Sequence, residues 1–214
     1  MNPAGDQGAR LATCLSRLRP HVDADAVALA GGVAIEAHLA QLGLRQPRSG
    51  PADVDIVARS ADAVSPGVTA LFLVSHYHRP HPGYRKFLIQ LVDPESQVRI
   101  DILPGDGDLI RRSPRLEIRG TRWRVLSLSA ILDHKLELLA GATRERPVDR
   151  KHLEDALLLG RLVGRAVPEC PPDSLSQDRY STDLGLRCSR CECSVDPAFP
   201  LAPKQRILGH LGYV

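Results

Sequence analysis

The chain lacks any long apolar run. Its longest apolar stretch without a charge, residues 26–35, contains two glycines and ends at Glu36, far short of the roughly 20 residues a membrane-spanning helix needs. A bilayer-spanning segment is therefore not expected, and neither is a membrane partner. Residues 1–10 carry no basic region followed by an apolar core and a small-residue cleavage site, so the expected location is cytoplasmic. Cysteine is sparse, five in 214 residues. In a reducing compartment such thiols are candidates for metal ligands or small buried hydrophobes rather than for a disulfide framework. An excess of charge of one sign is also missing: 28 basic against 25 acidic residues give a net charge of +3, too mild alone to imply a nucleic-acid partner. No internal repeat is visible. With 43% hydrophobic and 25% charged residues, neither disorder nor a fibrous repeat is plausible. The length suits one domain of ordinary size with a small appendage.

The residues present divide the chain by period. Leu11, Cys14, Leu15 and Leu18 recur at helical spacing, stopped by Pro20, and Cys14 is expected in the core. Residues 26–30 read as a strand, Gly31-Gly32 as a turn, and residues 33–42 as a helix closed by Gly43. After a polar loop, residues 53–57 read as a strand, followed by strands at 71–74 and 87–92 around a His/Pro-rich loop at 76–84. Val98, Ile100 and Ile102 alternate with Arg99 and Asp101, the pattern of a half-buried strand. Residues 116–118 and 123–125 flank Gly120-Thr121 as a hairpin. From residue 127 the period turns helical. One helix, 127–141, presents Leu128, Ile131, Leu132, Leu136 and Leu139 with Lys135 off that face, and a second, 150–164, presents Leu153, Leu157, Leu158 and Leu162. The expected organisation is an α/β core over residues 1–126, a mixed sheet flanked by helices, then a helical hairpin over 127–167 and a Pro/Cys-rich tail or small zinc module over 168–214.

The chemistry concentrates on carboxylates. Asp53 and Asp55, two apart on a strand, project from one face with α-carbons roughly 6.5–7 Å apart, and two such groups can converge on Mg²⁺. Asp101 offers a third from another strand, and the three meet if the strands are neighbours. Gly31-Gly32, between strand and helix, would let backbone N–H groups approach a phosphate. Taken singly, a Gly-Gly turn is usually structural, and an Asp-x-Asp is often a solvated strand end.

In this order and context, Gly31-Gly32-Val33-Ala34-Ile35, a loop with Arg48-Ser49, and Asp53-Val54-Asp55-Ile56-Val57 resemble the signature of polymerase-beta-type nucleotidyltransferases, especially their minimal, abortive-infection toxin-like branch. Asp101 in Arg99-Ile100-Asp101-Ile102 fits the third carboxylate of that pattern. His134-Lys135-Leu136-Glu137-Leu138-Leu139, Arg146 and Arg150-Lys151-His152-Leu153-Glu154-Asp155 are similar to the branch's helical pair, over a span of residues 26–160 in all. The chain departs from the pattern at Pro51, where Ser or Thr is common, and at His152, where Asp is usual.

The resemblance implies a nucleotidyltransferase-type fold and Mg²⁺- or Mn²⁺-dependent transfer of a nucleoside monophosphate from an NTP to a hydroxyl of RNA (tRNA included) or protein. A toxin role with an antitoxin partner is implied as well. By the same likeness Asp53, Asp55 and Asp101 would bind metal, with Asp101 helping to deprotonate the acceptor. Gly31, Gly32, Ser49, Lys135, Lys151 and Asp155 would bind the nucleotide. Two other functions fit the same residues: a catalytically silent nucleotide- or RNA-binding module, and an adenylyltransferase acting on a small molecule such as an antibiotic.

Three weaker groupings stand outside that pattern. His76, His78 and His81 with Arg85 and Lys86 could meet a metal or, more readily, a phosphate. Six arginines among residues 111–124, interspersed with Trp123, suit RNA contact as well as a solvated hairpin. Cys170, Cys188, Cys191 and Cys193, with His210 as a substitute ligand, could close a structural Zn²⁺ site, the alternative being reduced free thiols.

Overall fold

The computed structural model describes residues 3–44, 51–78, 87–143, 147–168 and 175–176. Two compact units divide between Leu126 and Ser127.

The first unit is a mixed α/β fold. It opens with helix α1 (Pro3–Leu18), then strand β1 (Val27–Ala30), helix α2 (Gly31–Gln41) and strand β2 (Asp53–Ala58). Strands β3 (Leu73–His78), β4 (Leu88–Val92) and β5 (Arg99–Pro104) follow, then the short helix α3 (Gly107–Arg112) and the hairpin β6 (Arg115–Ile118) and β7 (Thr121–Arg124). Five strands form one sheet in the order β1-β2-β5-β4-β3. β2 and β5 run parallel, and every other neighbouring pair is antiparallel.

Alternation explains which face is buried. Val54 and Ile56 of β2 lie in register with Ile100 and Ile102 of β5, which in turn face Leu91 and Ile89 of β4. All six are fully buried, so one face of the central strands is apolar and the intervening residues must point to the other. Cys14, Leu15 and Leu18 of α1 are also fully buried, as the helical spacing predicts, and burial pushes the Cys14 thiol up to about 12.

The hairpin turns at Arg119-Gly120, one residue earlier than Gly120-Thr121. Both central residues have positive φ (50° and 80°), the backbone that matches the twist of a two-residue hairpin. Trp123 is 2% exposed, and its indole N–H donates to Thr121 Oγ1 at 3.1 Å. It is a core residue of the hairpin and offers no face for stacking a base. His76 and His78 belong to β3 rather than to a loop, and His76 is buried. α3, with Asp106 capping its first turn through Asp108 and Leu109 N–H, is a helix that the short, charged sequence 107–112 did not announce.

In the second unit, α4 (Leu128–Ala140) and α5 (Arg150–Val163) pack against each other, and β8 (Val148–Asp149) pairs in parallel with β9 (Leu175–Ser176). Ser127 Oγ caps α4 by accepting from Ala130 N–H, and Gly164 ends α5 in the left-handed region, φ 70°. The buried face of α5 is not the leucine face: Asp155, Ala156, Leu159 and Gly160 are buried, while Leu157 is exposed. At Gly160 a Cβ would lie 2.6 Å from Arg165 O, so glycine permits the chain to fold back there. Lys135 likewise is buried rather than off the packed face of α4. Among the described residues no helix is long and apolar enough to cross a membrane.

Candidate active site

The polar face of the central strands carries a compact block of charge. Parallel register places Asp53 of β2 opposite Arg99 of β5, and Asp55 opposite Asp101. All four therefore project to the same side, away from the apolar face. Sequence periodicity placed the acids, and the sheet supplies what it could not, the adjacency of β2 and β5.

Arg99 ties the block together. Its Nη2 donates to Asp53 Oδ2 and to Asp101 Oδ2, at 3.1 Å from each. One cationic nitrogen thus stands between carboxylates from two strands. Asp101 is more enclosed than Asp53, its side chain 15% exposed against 30%. Burial raises its pKa above the ordinary carboxylate value, opposed by the Arg99 charge and by a hydrogen bond from Gln90, and reinforced by the Asp53 charge.

Gln90 joins this block across the sheet, which local sequence pattern does not mark. Register continues from Asp101 to Gln90 on β4 and from Gln90 to His76 on β3, so a polar row crosses the sheet. Gln90 is buried, and its Nε2 donates to Asp101 Oδ1 at 3.0 Å. Its signal was present as a single amide inside the apolar strand Leu88-Ile89-Gln90-Leu91. Burial lowers the pKa of His76, with the nearby His78 charge acting the same way, which favours the neutral imidazole.

Gly31 completes the arrangement. It begins α2 with φ 57°, and a Cβ there would intrude on the Asp55 carboxylate, 2.7 Å from Cγ. Gly32 abuts Pro51, whose Cβ would be 2.9 Å from an added Cβ. The space opened by Gly31 is thus taken up by Asp55 itself, which brings that carboxylate to the first turn of a helix, where the aligned peptide dipoles favour negative charge. Pro51, occupying a position where the resembled pattern has a hydroxyl, instead closes the wall beside Gly32.

Among the described residues, no group of three or more His, Cys, Asp or Glu side chains is gathered as a ready-made metal site. Between Asp53 and Asp101 stands the Arg99 guanidinium. Three carboxylates nevertheless share one face of β2 and β5, the oxygen-donor chemistry that a hard divalent ion takes, with a cationic nitrogen between two of them.

The remaining sequence candidates fall elsewhere. Lys135 and Asp155 lie in the second unit, where Lys135 Nζ is 3.1 Å from Asp155 Oδ2 and 2.8 Å from His152 Nδ1. Burial, followed by the Lys135 and Lys151 charges, depresses the His152 pKa to about 3. Lys135 is therefore no solvated lysine, and His152, at the position where the pattern has Asp, is its second partner. Lys151 is the second residue of α5, its backbone N–H donating to Asp149 Oδ1 at 2.8 Å. The arginine ribbon is largely matched by acids of its own unit. Arg115 and Arg124 share Asp25, Arg119 pairs with Glu36 and Arg111 with Asp108, while Arg19 lies over Trp123, 5.6 Å from its centroid. Arg48, Ser49, His81, Arg85, Lys86, Arg146, Cys170, Cys188, Cys191, Cys193 and His210 lie outside the described residues.

No protein-family model matches the chain, and no curated protein matches it. Among solved structures it is similar to the solution structure of the antibiotic-resistance factor ANT(2'')-Ia, described as revealing substrate-regulated conformation dynamics. The two share 17% identity over 77% of this chain and 86% of that one, with a TM-score of 0.45.

Proposed function

We propose that the chain is a divalent-metal-dependent nucleotidyltransferase that moves a nucleoside monophosphate from an NTP to an acceptor hydroxyl, with pyrophosphate leaving. The observation that carries this reading is the in-register block of Asp53, Asp55 and Asp101 on the polar face of β2 and β5. A module that merely binds nucleotide or RNA has no use for three carboxylates on one face, whereas transfer of a phosphoryl group needs them to hold a cation.

Asp53, Asp55 and Asp101 are the proposed ligands of Mg²⁺ or Mn²⁺. When bound, such an ion would polarise the α-phosphate and offset the charge of the leaving group. Asp101 is the proposed base. Its burial raises its proton affinity, and a carboxylate of raised pKa is the better acceptor of the attacking hydroxyl's proton. Gln90 holds Asp101 by one oxygen, Oδ1, which fixes the direction of the other. Gly31 leaves Asp55 the room it occupies. Lys135 has its charge already matched by Asp155 within the second unit, so the proposed chemistry rests on the first unit's residues.

The test is transfer of label from each of four α-labelled NTPs, with Mg²⁺ or Mn²⁺, into three acceptor pools: bulk tRNA, total protein and small hydroxylated antibiotics. Label entering one pool with wild type and not with Asp55→Asn supports the reading and identifies the acceptor class. Absence of label from every pool, with the protein folded, overturns it. A toxin role predicts growth arrest on expression of wild type and normal growth with Asp55→Asn.

A further inference from the structure

Among the described residues Arg99 is the cation that pairs with this block of three acids, and it is poorly satisfied there. Both of its ion pairs run through a single nitrogen, Nη2, rather than through the two-pronged face that a guanidinium offers a carboxylate. Its Nε is buried with no hydrogen-bond partner. A buried donor left without a partner costs free energy, so this engagement is weaker than the two ion-pair distances suggest. The side chain is also 34% exposed, which leaves it a route out to solvent. The carboxylates it bridges lie on adjacent strands of the central sheet, a rigid support that keeps them close whether or not Arg99 stays between them.

We propose that Arg99 is a resident competitor for the divalent cation. Its guanidinium neutralises Asp53 and Asp101 in the metal-free chain and leaves that position as the ion is taken up, so that metal binding is an exchange of one cation for another. The proposal rests on the metal-dependent reading above. It follows that the like charges of the metal-free block are offset, that affinity for the ion is held down by the cost of displacing Arg99, and that the displaced guanidinium becomes a free donor in a loaded site. A cation-for-cation exchange also predicts that the affinity gap between wild type and a neutral variant narrows as salt screens the guanidinium.

The experiment uses the full chain, Mn²⁺ as probe and no nucleotide. Free Mn²⁺ is measured by electron paramagnetic resonance during titration of wild type, Arg99→Met and, as the site control, Asp53→Asn. In parallel the Arg99 Nε–H resonance, identified by its loss in Arg99→Met, is followed during a Mg²⁺ titration of wild type. The expected result is Mn²⁺ binding to wild type that Asp53→Asn weakens, binding to Arg99→Met that is about tenfold or more tighter, and movement of the Arg99 resonance with the Mg²⁺ binding midpoint. Equal or weaker Mn²⁺ binding by Arg99→Met, or an Arg99 resonance that stays fixed while the site fills, overturns the exchange and leaves the metal site standing. Absence of Mn²⁺ binding in both wild type and Arg99→Met overturns the metal site itself. Urea melts of the metal-free proteins establish that each variant is folded. Arg99→Gln repeats the comparison if Arg99→Met is not.

Discussion

The Asp55 carboxylate fills the volume that a side chain at Gly31 would need: a Cβ built on Gly31 lies 2.7 Å from Asp55 Cγ. The relationship couples a left-handed backbone position to the placement of one acid, and it can be tested against a second glycine. Gly120 also has positive φ but nothing within 4 Å of its would-be Cβ. Gly120→Ala should lose about 1–2 kcal/mol of stability from the backbone alone. Gly31→Ala should lose more than that and should also lower Mn²⁺ affinity, because Asp55 must move. Urea melts and Mn²⁺ titration check both halves.

Lys135 and Asp155 form a buried pair in the second unit, with side chains 7% and 3% exposed. Removing one partner strands the other charge. Lys135→Met should therefore destabilise by about 3–5 kcal/mol, whereas Lys135→Met with Asp155→Leu should recover most of the loss. Chemical denaturation of the single and double variants measures the difference. A double variant as unstable as the single one would show that the pair is not what holds Lys135 in place.

His152 predicts a pH dependence. Its pKa is lowered from the ordinary 6.5 to about 3 by burial and by neighbouring lysine charge. Between those values the unfolded chain takes up a proton that the folded chain does not. The contribution of neutral His152 is therefore fully present above pH 6.5 and is lost as pH falls from 6.5 toward 3. His152→Gln should flatten that part of the stability profile. Denaturation midpoints at pH 7, 6, 5 and 4 for both proteins supply the comparison.

Gln90→Ala should leave the fold intact but free one oxygen of Asp101. The expected loss is about 1–3 kcal/mol of stability, because the partly buried carboxylate loses a hydrogen bond. A transferase rate reduced with unchanged NTP affinity would separate positioning of Asp101 from nucleotide binding.

Much of this architecture was legible in local sequence. Alternation of Val54 and Ile56 against Asp53 and Asp55, and of Ile100 and Ile102 against Arg99 and Asp101, reports which side of a strand meets the core, so the acid-bearing face could be read directly. Pairing between strands could not, because β2 and β5 are separated by two intervening strands in the chain, and only the sheet makes Asp55 the neighbour of Asp101. The same limit hid Arg99 and Gln90. As isolated residues they look like an ordinary surface cation and a stray polar group, and their roles exist only across strand boundaries. In the second unit the leucine spacing misled. The face of α5 is set by the burial of Asp155 against Lys135 and by the close chain approach at Gly160, two features that hydrophobic periodicity counts as polar or neutral. The short helix α3 carries too few apolar residues to show a period, and it forms where Asp106 caps it.

The central claim is that Asp53, Asp55 and Asp101 act together in transfer of the α-phosphoryl group. Its most direct test incubates the protein with the NTP and acceptor class found by the label survey and compares α- with γ-labelled NTP. Wild type is run beside Asp53→Asn, Asp55→Asn and Asp101→Asn, each checked for folding. The account predicts α-label in the acceptor, γ-label released as pyrophosphate in equal amount, and loss of both in all three variants. Incorporation of γ-label, or a wild-type rate in Asp101→Asn, would contradict it.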